Sequence, residues 1–574
     1  MIVLRERISL VLLSTLLEPP AAPENSLRLF TCGGLGEIGR NMMVLTYGTQ
    51  SIIIDCGVMF PSEYEPGVDL ILPDLSLLEK VPVEPTHAIL THAHEDHIGA
   101  IPYLIQRYPN ITLVGSKLTL AFVMPKLREH RLNAESVTVE AGDDLSFGQF
   151  RVRFLAVTHS VPDSLAVVAD VGGMRILHTG DFKLDPRPLD GRTTDLAGFA
   201  AIGAEGVDLL LSDSTNAGVE GSLPGEETLQ PILKKLFSEA TGRIIFACFA
   251  SNVHRVQQAI NAAVGADRQF AFIGRSMIRN MTIASELGYL KIPAGAQVRL
   301  NDAIDAEKDR IVLICTGSQG EPLSALARMA RGQHQIHPHA DDLVILSSRL
   351  IPGNETDVFK VVNDLNRLGA RVLHTENAVV HASGHASARD LTEVITIVRP
   401  RYLVPIHGEW RHLRAHAEVA HRAGMADESV ILMSNGEVLD YVRGTAFLTG
   451  AYEFAEIYVD AGTVGLVGAK TLSERRHLGT DGLLHVAVAV DESSGRLRAQ
   501  PVVSHSGLPI SGLHEEQVAA IAAENVTEWA EDEVRGWPVL EREITRALQR
   551  WMRDSHKFEP YVLVSIIPIP PHSG

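Results

Sequence analysis

The chain contains little cysteine. Its 574 residues include only four cysteines, and none of them lies in a C-x-x-C motif. Disulfide frameworks and all-thiolate zinc sites need closely spaced or paired cysteines, so neither is expected here. The composition fits a reducing compartment, and we predict a cytoplasmic protein.

Positive charge and long apolar runs are also scarce. Lys and Arg number 51 against 70 Asp and Glu, which gives a formal net charge of −19. A polyanionic partner must therefore be held by local positive charge or by metal ions. After the N-terminal region, no stretch approaches the ~20 apolar residues of a membrane span, and no membrane association is predicted. Residues 1–26 loosely imitate a signal peptide, and we interpret them as a disordered leader.

The pattern of apolar residues in the rest of the sequence is typical of an α/β protein. Short apolar runs alternate with amphipathic stretches, and from about residue 221 the strands are apolar and separated by helical segments, as in a parallel, doubly wound sheet. The segment 226–374 is nearly neutral, whereas the remainder carries the acidic excess. We predict a first domain in two parts (27–220 and 375–450), an inserted domain (221–374), a linker (451–470) and a small α+β domain (471–574).

The small C-terminal domain is predicted to contain a hairpin, two helices and a final strand. The hairpin is expected at 483–490 and 496–503, and the final apolar strand at 561–569. Because an apolar strand and a hairpin offer a sheet surface, this domain is the expected site of self-association.

A glycine motif near the N-terminus fits G-x-G-x-x-G but does not predict a dinucleotide site. The motif Gly34–Gly39 follows a strand, yet the next residues, 41–47, form a β-type run rather than a helix. Without a helix N-terminus to face a pyrophosphate, the dinucleotide interpretation is rejected.

The strongest chemical signal is a dense group of potential metal ligands at 90–99. An apolar strand ends there, and His92, His94, Asp96 and His97 follow within six residues. Alternate spacing lets His92 and His94 point the same way, while Asp96 and His97 turn to the other side as a helix begins. Imidazole and carboxylate ligands without thiolate favour Zn²⁺, with Mn²⁺ as the alternative, in a hydrolytic site.

Further ligands are expected at other strand ends. His159, Asp181 and His407 each follow an apolar strand and stand beside a glycine or a small residue. We predict that His159 completes a first cation site with the two alternating histidines. We predict that His407 completes a second site with Asp96 and His97. Asp181 has two oxygens and can bridge the two cations, and either Asp96 or Asp181 is placed to orient the attacking water.

The residues around these ligands suggest further roles. His385 lies in a Ser-Gly-His-Ala-Ser segment and is the predicted proton donor to the leaving oxygen. Asp55 and Glu409 are candidate partners for ligand imidazoles. The histidines of the segment 334–339 are interpreted as part of a solvated turn.

The ligand motifs resemble those of the metallo-β-lactamase fold. The segment 226–374 with His385 and His407 after it resembles the β-CASP nucleases. Several sequence motifs resemble those of the bacterial ribonuclease J family, and the resemblance extends from about residue 27 to residue 435. These motifs are the segments 33–41, 211–216, 249–252, 274–277, 316–322, 351–354 and 405–409. The resemblance implies a metallo-β-lactamase αββα sandwich with an inserted β-CASP parallel α/β domain and a small α+β C-terminal domain.

The resemblance also implies an activity and partners. It implies two divalent ions per subunit, 5′→3′ exonuclease action favouring 5′-monophosphate ends, endonuclease cleavage of single-stranded RNA, and roles in mRNA decay and rRNA maturation. A homodimer or homotetramer and an RNA-degradation complex are the expected assemblies. The expected phosphate- and RNA-binding residues are Ser251, Asn252, Arg275, Ser276, Arg279, Ser383, Gly384, His385, Ala386 and Ser387.

Two other functions remain open at this point. A DNA nuclease or a small-ester hydrolase could use the same fold, although the inserted segment argues against an esterase. A non-catalytic scaffold subunit is the third interpretation, and the complete set of ligand positions argues against it.

Overall fold

A computed structural model describes residues 17–81, 84–351, 353–509, 514–531 and 536–570. The chain divides into two compact units. The first comprises Met1–Phe60 and Leu70–Ile457, and the second comprises Pro61–Asp69 and Tyr458–Gly574.

Two sheets pack face to face in the first unit because their strands alternate apolar side chains toward a shared core. The eight-stranded sheet has, in spatial order, Thr445–Ala451, Glu437–Val442, Leu27–Gly33, Met42–Tyr47, Gln50–Ile54, His87–Leu90, Thr112–Gly115 and Ser136–Thr138. The six-stranded sheet has Tyr402–Ile406, Leu209–Asp213, Met174–His178, Leu165–Val171, Phe150–Ala156 and Asp144–Phe147.

Helices accompany both sheets. The six-stranded sheet buries a second apolar face against Leu196–Glu205, Ala388–Val398 and Trp410–Arg422. The helices that follow strands of the other sheet are Glu95–Ile98, Ile101–Arg107 and Lys117–Glu129. This arrangement is the αββα sandwich, and it confirms the predicted fold class.

The inserted module is a five-stranded, wholly parallel sheet. Its spatial order is Gln269–Ile273, Ile311–Cys315, Ile244–Ala247, Leu343–Leu346 and Arg371–Leu373. The accompanying helices are Leu229–Glu239, Val253–Gly265, Arg275–Glu286, Leu300–Asp305, Ala325–Ala330 and Glu355–Arg367. The chain leaves the sandwich after Leu209–Asp213 and returns to pair Tyr402–Ile406 in parallel with that strand, so both ends of the insertion lie at one sheet edge.

The glycine motif at Gly34–Gly39 is followed by the strand Met42–Tyr47, which pairs with Gln50–Ile54 across a two-residue turn. No helix begins there, so the rejection of a dinucleotide site is confirmed. Of the predicted leader, residues 1–16 lie outside the described part of the chain. In the segment 17–26, the carbonyl of Leu17 accepts from the Ala451 amide and that of Pro20 accepts from Arg28.

The second unit contains a three-stranded sheet with helices on one face. Leu483–Asp491 pairs in parallel with Tyr561–Ile569 and antiparallel with Val502–Ser506. The helices Ala469–Thr480, Glu515–Glu531 and Trp537–His556 belong to this unit, and the last two pack on the apolar face of the sheet. The second hairpin strand was predicted too early, at 496–503, because a polar turn at Asp491–Gly495 and Pro501, which has no N–H, delay regular pairing until Val502.

A buried ion pair joins the first residues of the inserted module to its helix Val253–Gly265. Arg255 is fully buried and donates from Nη2 to both carboxylate oxygens of Glu226, at 3.2 and 2.9 Å. Lys183, from the sandwich, lies 3.4 Å from the same carboxylate. Burial by itself would raise the pKa of Glu226, but the charges of Arg255 and Lys183 lower it to about 2.

We expect Glu226→Gln to lower the free energy of unfolding by about 3–5 kcal/mol, because it leaves the buried guanidinium of Arg255 without its charge partner. Urea denaturation of the full-length protein measures this loss. Glu227→Gln is the matched control, since Glu227 pairs with Arg187 on the surface and should cost about 1 kcal/mol or less. Equal effects of the two substitutions would contradict the expectation.

Candidate metal centre

The ligand-rich loop follows directly from its strand. The strand His87–Leu90 ends, residues 91–93 form a short connection, and the helix Glu95–Ile98 begins with His94, whose backbone is extended, as its N-cap. Gly57 allows the neighbouring chain to pack against this turn, since a Cβ at residue 57 would lie 1.7 Å from the carbonyl oxygen of Asp96. Across this turn, His92 and His94 contribute their side chains to one group of potential ligands, and Asp96 and His97 contribute theirs to a second group.

The side chains form two four-residue groups that share one aspartate. The first group is His92, His94, His159 and Asp181, and the second is Asp96, His97, Asp181 and His407. Within each group, one potential ligand atom per residue lies within 4.8 Å of the others. The structure thus brings together all seven residues that were predicted from the sequence as metal ligands.

The first group is rich in imidazole. His94 Nδ1 lies 3.2 Å from His92 Nε2 and 3.1 Å from His159 Nε2. Ligands bound at about 2.0–2.1 Å in a tetrahedron are roughly 3.3 Å apart, so this spacing suits a zinc-sized ion. Burial holds the pKa of His92 and His159 well below the usual range and lowers that of His94 to about 4. The three rings are therefore neutral, as metal binding requires.

The second group has more negative charge. His407 Nε2 lies 3.2 Å from Asp181 Oδ2 and 3.3 Å from Asp96 Oδ2, and His97 Nε2 lies 3.3 Å from Asp181 Oδ2. Burial would lower the pKa of His97, but the carboxylates of Asp181, Asp96 and Asp55 raise it to about 10. The group therefore favours added positive charge, which a divalent cation supplies.

Two buried polar atoms at the centre, Asp181 Oδ1 and His407 Nε2, make no hydrogen bond of normal geometry among the described residues, although carboxylate oxygens lie 3.2–3.3 Å from His407 Nε2. A buried polar atom without a partner is costly, and a bound cation would satisfy both of these atoms. The residues present therefore fit divalent metal ions with nitrogen and oxygen ligands.

Neighbouring groups hold the ligand imidazoles in place. His97 Nδ1 lies 2.7 Å from Asp55 Oδ2, His94 Nε2 lies 3.0 Å from Ser160 Oγ, and His159 Nδ1 donates to the carbonyl of Gly384 at 2.7 Å. The role suggested for Asp55 therefore has a direct contact. Glu409 pairs instead with Arg411 at 2.6 Å and begins the helix Trp410–Arg422, so the hypothesis that it orients a ligand imidazole is wrong.

We expect Gly384→Ala to weaken metal binding at the first group by about 10–100-fold, the range known for lost partners of metal-bound histidine. The reason is steric, because a Cβ at residue 384 would lie 2.6 Å from His159 Cε1. Competition with a chromophoric zinc chelator measures the affinity. Gly218→Ala is the control, since its nearest neighbour would be 3.9 Å away. Unchanged zinc affinity in the Gly384 variant would contradict the expectation.

His385 stands beside both groups. Its Nδ1 lies 2.8 Å from Asp213 Oδ2, and its ring centroid is 5.1 Å from that of His159 and 5.5 Å from that of His407. The imidazole is 20% exposed, whereas Asp213 is buried. Sequence reasoning missed Asp213 as a site residue, although it ends an apolar strand in the same way as the predicted ligands.

The segment 383–387 is held by its own hydrogen bonds. Asn216 Nδ2 donates to Ser383 Oγ at 2.8 Å and to the carbonyl of His385 at 3.1 Å. Ser387 caps the helix Ala388–Val398, and Ala386 is buried. The hydroxyls expected to bind phosphate therefore make contacts within the protein.

The other predicted substrate-binding residues lie in the inserted module. Asn252 caps the helix Val253–Gly265, and Arg279 pairs with Glu129 at 2.6 Å. Ser251 and Ser276 are half-buried, and Arg275 is exposed at the start of the helix Arg275–Glu286. The structure does not bring these residues into the hydrogen-bonded group around His385.

Four family models match the chain in succession. They are the metallo-beta-lactamase superfamily at residues 35–211, the ribonuclease J beta-CASP domain at 241–365, the Zn-dependent metallo-hydrolase RNA specificity domain at 372–432 and the ribonuclease J C-terminal domain at 470–569. Fold, ligand set and matched models together define a metallo-β-lactamase-fold hydrolase with a β-CASP insertion.

Curated relatives narrow the class to one family. The chain is 45% identical to ribonuclease J of Mycolicibacterium smegmatis over 96% of this chain and 99% of the relative. It is 43% identical to ribonuclease J of Corynebacterium glutamicum over 96% of this chain and 77% of the relative. The chain belongs to the ribonuclease J family.

A solved structure supports the fold independently. A protein of unknown function from Enterococcus faecalis matches with a TM-score of 0.50 at 16% identity, over 74% of this chain and 100% of that chain. At this identity the likeness concerns the fold alone. In the described part of the chain, no helix combines the length and apolar character needed to cross a membrane.

Proposed function

We propose that this protein is a two-metal ribonuclease that hydrolyses phosphodiester bonds of single-stranded RNA. The proposal comprises 5′→3′ exonuclease action favouring 5′-monophosphate ends, endonuclease cleavage, and roles in mRNA decay and rRNA 5′-end maturation. The observation that carries it is the Asp181 carboxylate shared by two four-ligand groups, with His385 beside them. Membership of the ribonuclease J family supports RNA as the substrate.

Each group would hold one divalent ion, with Zn²⁺ expected and Mn²⁺ the alternative. Such a pair supplies hydroxide at neutral pH and stabilises charge on the attacking and leaving oxygens of phosphoryl transfer.

The protein's own groups would perform the proton transfers. Asp96, whose side chain is 27% exposed, would orient the attacking water together with Asp181. Asp213 accepts from Nδ1–H of His385, which leaves Nε2 to donate a proton to the departing 3′-oxygen. The buried carboxylate of Asp213 also fixes the orientation of the imidazole.

The proposal also covers the cellular compartment and the assembly of the enzyme. We propose a cytoplasmic protein, and the four free, buried cysteines agree with a reducing compartment. Self-association as a dimer or tetramer and membership of an RNA-degradation complex belong to the same proposal.

Product mapping tests the activity. The purified protein, with Zn²⁺ or Mn²⁺ restored after chelation, is given RNAs that differ only in carrying a 5′-monophosphate or a 5′-triphosphate. We expect mononucleotides to appear faster from the monophosphorylated RNA, and single-stranded DNA of the same sequence to be cleaved more slowly. Equal turnover of DNA would favour the DNA-nuclease alternative, and no turnover of any substrate would favour a scaffold.

A further inference from the structure

One arginine that sequence reasoning did not single out contacts the hydrogen-bonded group around His385. Arg349 follows the strand Leu343–Leu346 of the inserted module, and its Nη1 donates to Asn216 Oδ1. The amide nitrogen of Asn216 donates in turn to Ser383 Oγ and to the carbonyl of His385. The guanidinium is therefore one side chain away from the segment that carries the proposed proton donor.

The charge of Arg349 is not neutralised inside the protein. Among the described residues, no carboxylate lies within 4 Å of its guanidinium, and its side-chain hydrogen bond is to the neutral amide of Asn216. Arg255, Arg279 and Arg411 in contrast each pair with a glutamate. In a chain with a net charge of −19, a guanidinium without a carboxylate partner at this position is available to an external anion.

Arg349 lies at the surface beside a second cation, Arg411. The residue is exposed to solvent, yet desolvation by the surrounding protein lowers its pKa, and the nearby Arg411 lowers it further. Like charges brought together in a partly desolvated place are unfavourable unless an anion binds between or beside them. Four of the five N–H donors of the guanidinium remain free for such an anion.

We infer that Arg349 binds a backbone phosphate of the RNA next to the phosphodiester being cleaved, an inference that rests on the proposed function. The metal ions can neutralise the reacting phosphate, but the flanking phosphates need a cation supplied by the protein. A guanidinium can bind a phosphate through two parallel hydrogen bonds, which also sets the register of the strand. Because Asn216 holds both Arg349 and the carbonyl of His385, binding of that phosphate would align the leaving oxygen with the imidazole.

The salt dependence of RNA binding tests this inference. The probe is a 3′-labelled, 5′-monophosphorylated ten-nucleotide RNA with phosphorothioate linkages, which resist hydrolysis and keep one charge each. The full-length, metal-loaded protein is titrated by fluorescence anisotropy at several KCl concentrations. Each phosphate contact on a single strand contributes about 0.7 to the slope of log K against log [KCl]. We expect Arg349→Gln to reduce the slope by about 0.7, and Arg349→Lys to keep the slope while binding more weakly.

Arg367→Gln is the matched control, because it removes the same charge from an exposed side chain at the end of a helix of the same module and should leave the slope unchanged. Thermal melting and metal content verify that the variants are folded and loaded. An unchanged slope in Arg349→Gln would overturn the inference. A lower kcat together with an unchanged slope would also overturn it, because that result would mean that Arg349 only supports Asn216. If the wild-type enzyme binds RNA but does not cleave unmodified RNA, the proposed function fails while the slope comparison still decides the role of Arg349.

Discussion

Asp181→Asn is expected to lower kcat/KM for RNA by about a thousandfold or more and to reduce the metal content of the purified protein. The substitution removes a negative charge from the one oxygen, Oδ2, that lies 3.2–3.9 Å from imidazole nitrogens of both ligand groups. Metal-ion stabilisation of the transition state is worth several kcal/mol, and each 1.36 kcal/mol corresponds to a factor of ten. Steady-state RNA cleavage and elemental analysis of the same preparation measure the two effects.

The control for this substitution is Asp195→Asn. This substitution makes the same change of aspartate to asparagine in the same sandwich. Asp195 caps the helix Leu196–Glu205 by accepting a hydrogen bond from Gly198 N–H. Asparagine is an equally good N-cap, so activity and metal content should match those of the wild type. If Asp181→Asn kept its full metal content and cleaved RNA at the wild-type rate, the shared-carboxylate centre would not be the site of hydrolysis.

His385→Gln is expected to lower kcat by about 10²–10⁴-fold without loss of metal, because general acid catalysis contributes this much and His385 belongs to neither four-ligand group. Rapid-quench single-turnover cleavage separates the chemical step from product release. The selective loss of rate with retained metal is the signature that distinguishes a proton donor from a ligand.

His337→Gln provides the matched histidine control. His337 is exposed, and its position in the 334–339 segment places it outside the ligand groups found among the described residues. Wild-type kinetics are expected for this variant. A His385 variant that lost its metal together with its activity would show that the imidazole acts as a ligand and would contradict its role as proton donor.

The grouping of the candidate metal ligands could be predicted because metal-binding residues are often closely spaced in the sequence. Four potential ligands within residues 92–97 need no tertiary information to be noticed, and His159, Asp181 and His407 each follow an apolar run. The strands before these three residues, Phe150–Ala156, Met174–His178 and Tyr402–Ile406, run in the same direction in one sheet, so their carboxyl ends meet at one edge.

The expected substrate-binding residues were less well defined by the sequence. Hydroxyl and guanidinium groups in loops can cap a helix, pair with a glutamate or bind phosphate, and residue type does not distinguish these uses. Ser387 and Asn252 prove to be helix caps, and Arg279 is paired with Glu129. In contrast, Arg349 was overlooked because its contact with Asn216 joins segments that are remote in sequence.

By itself, the sequence determined the α/β class, the inserted parallel module and the seven candidate metal ligands that the structure brings together, since periodicity, charge and dense ligand spacing are local properties. Only the tertiary structure decided that Asp213 holds His385, that Glu409 pairs with Arg411 and that Arg349 contacts Asn216 rather than a carboxylate. Those facts depend on side chains from separate strands and loops approaching within hydrogen-bond distance, and such distances are set by how the sheets and the inserted module pack.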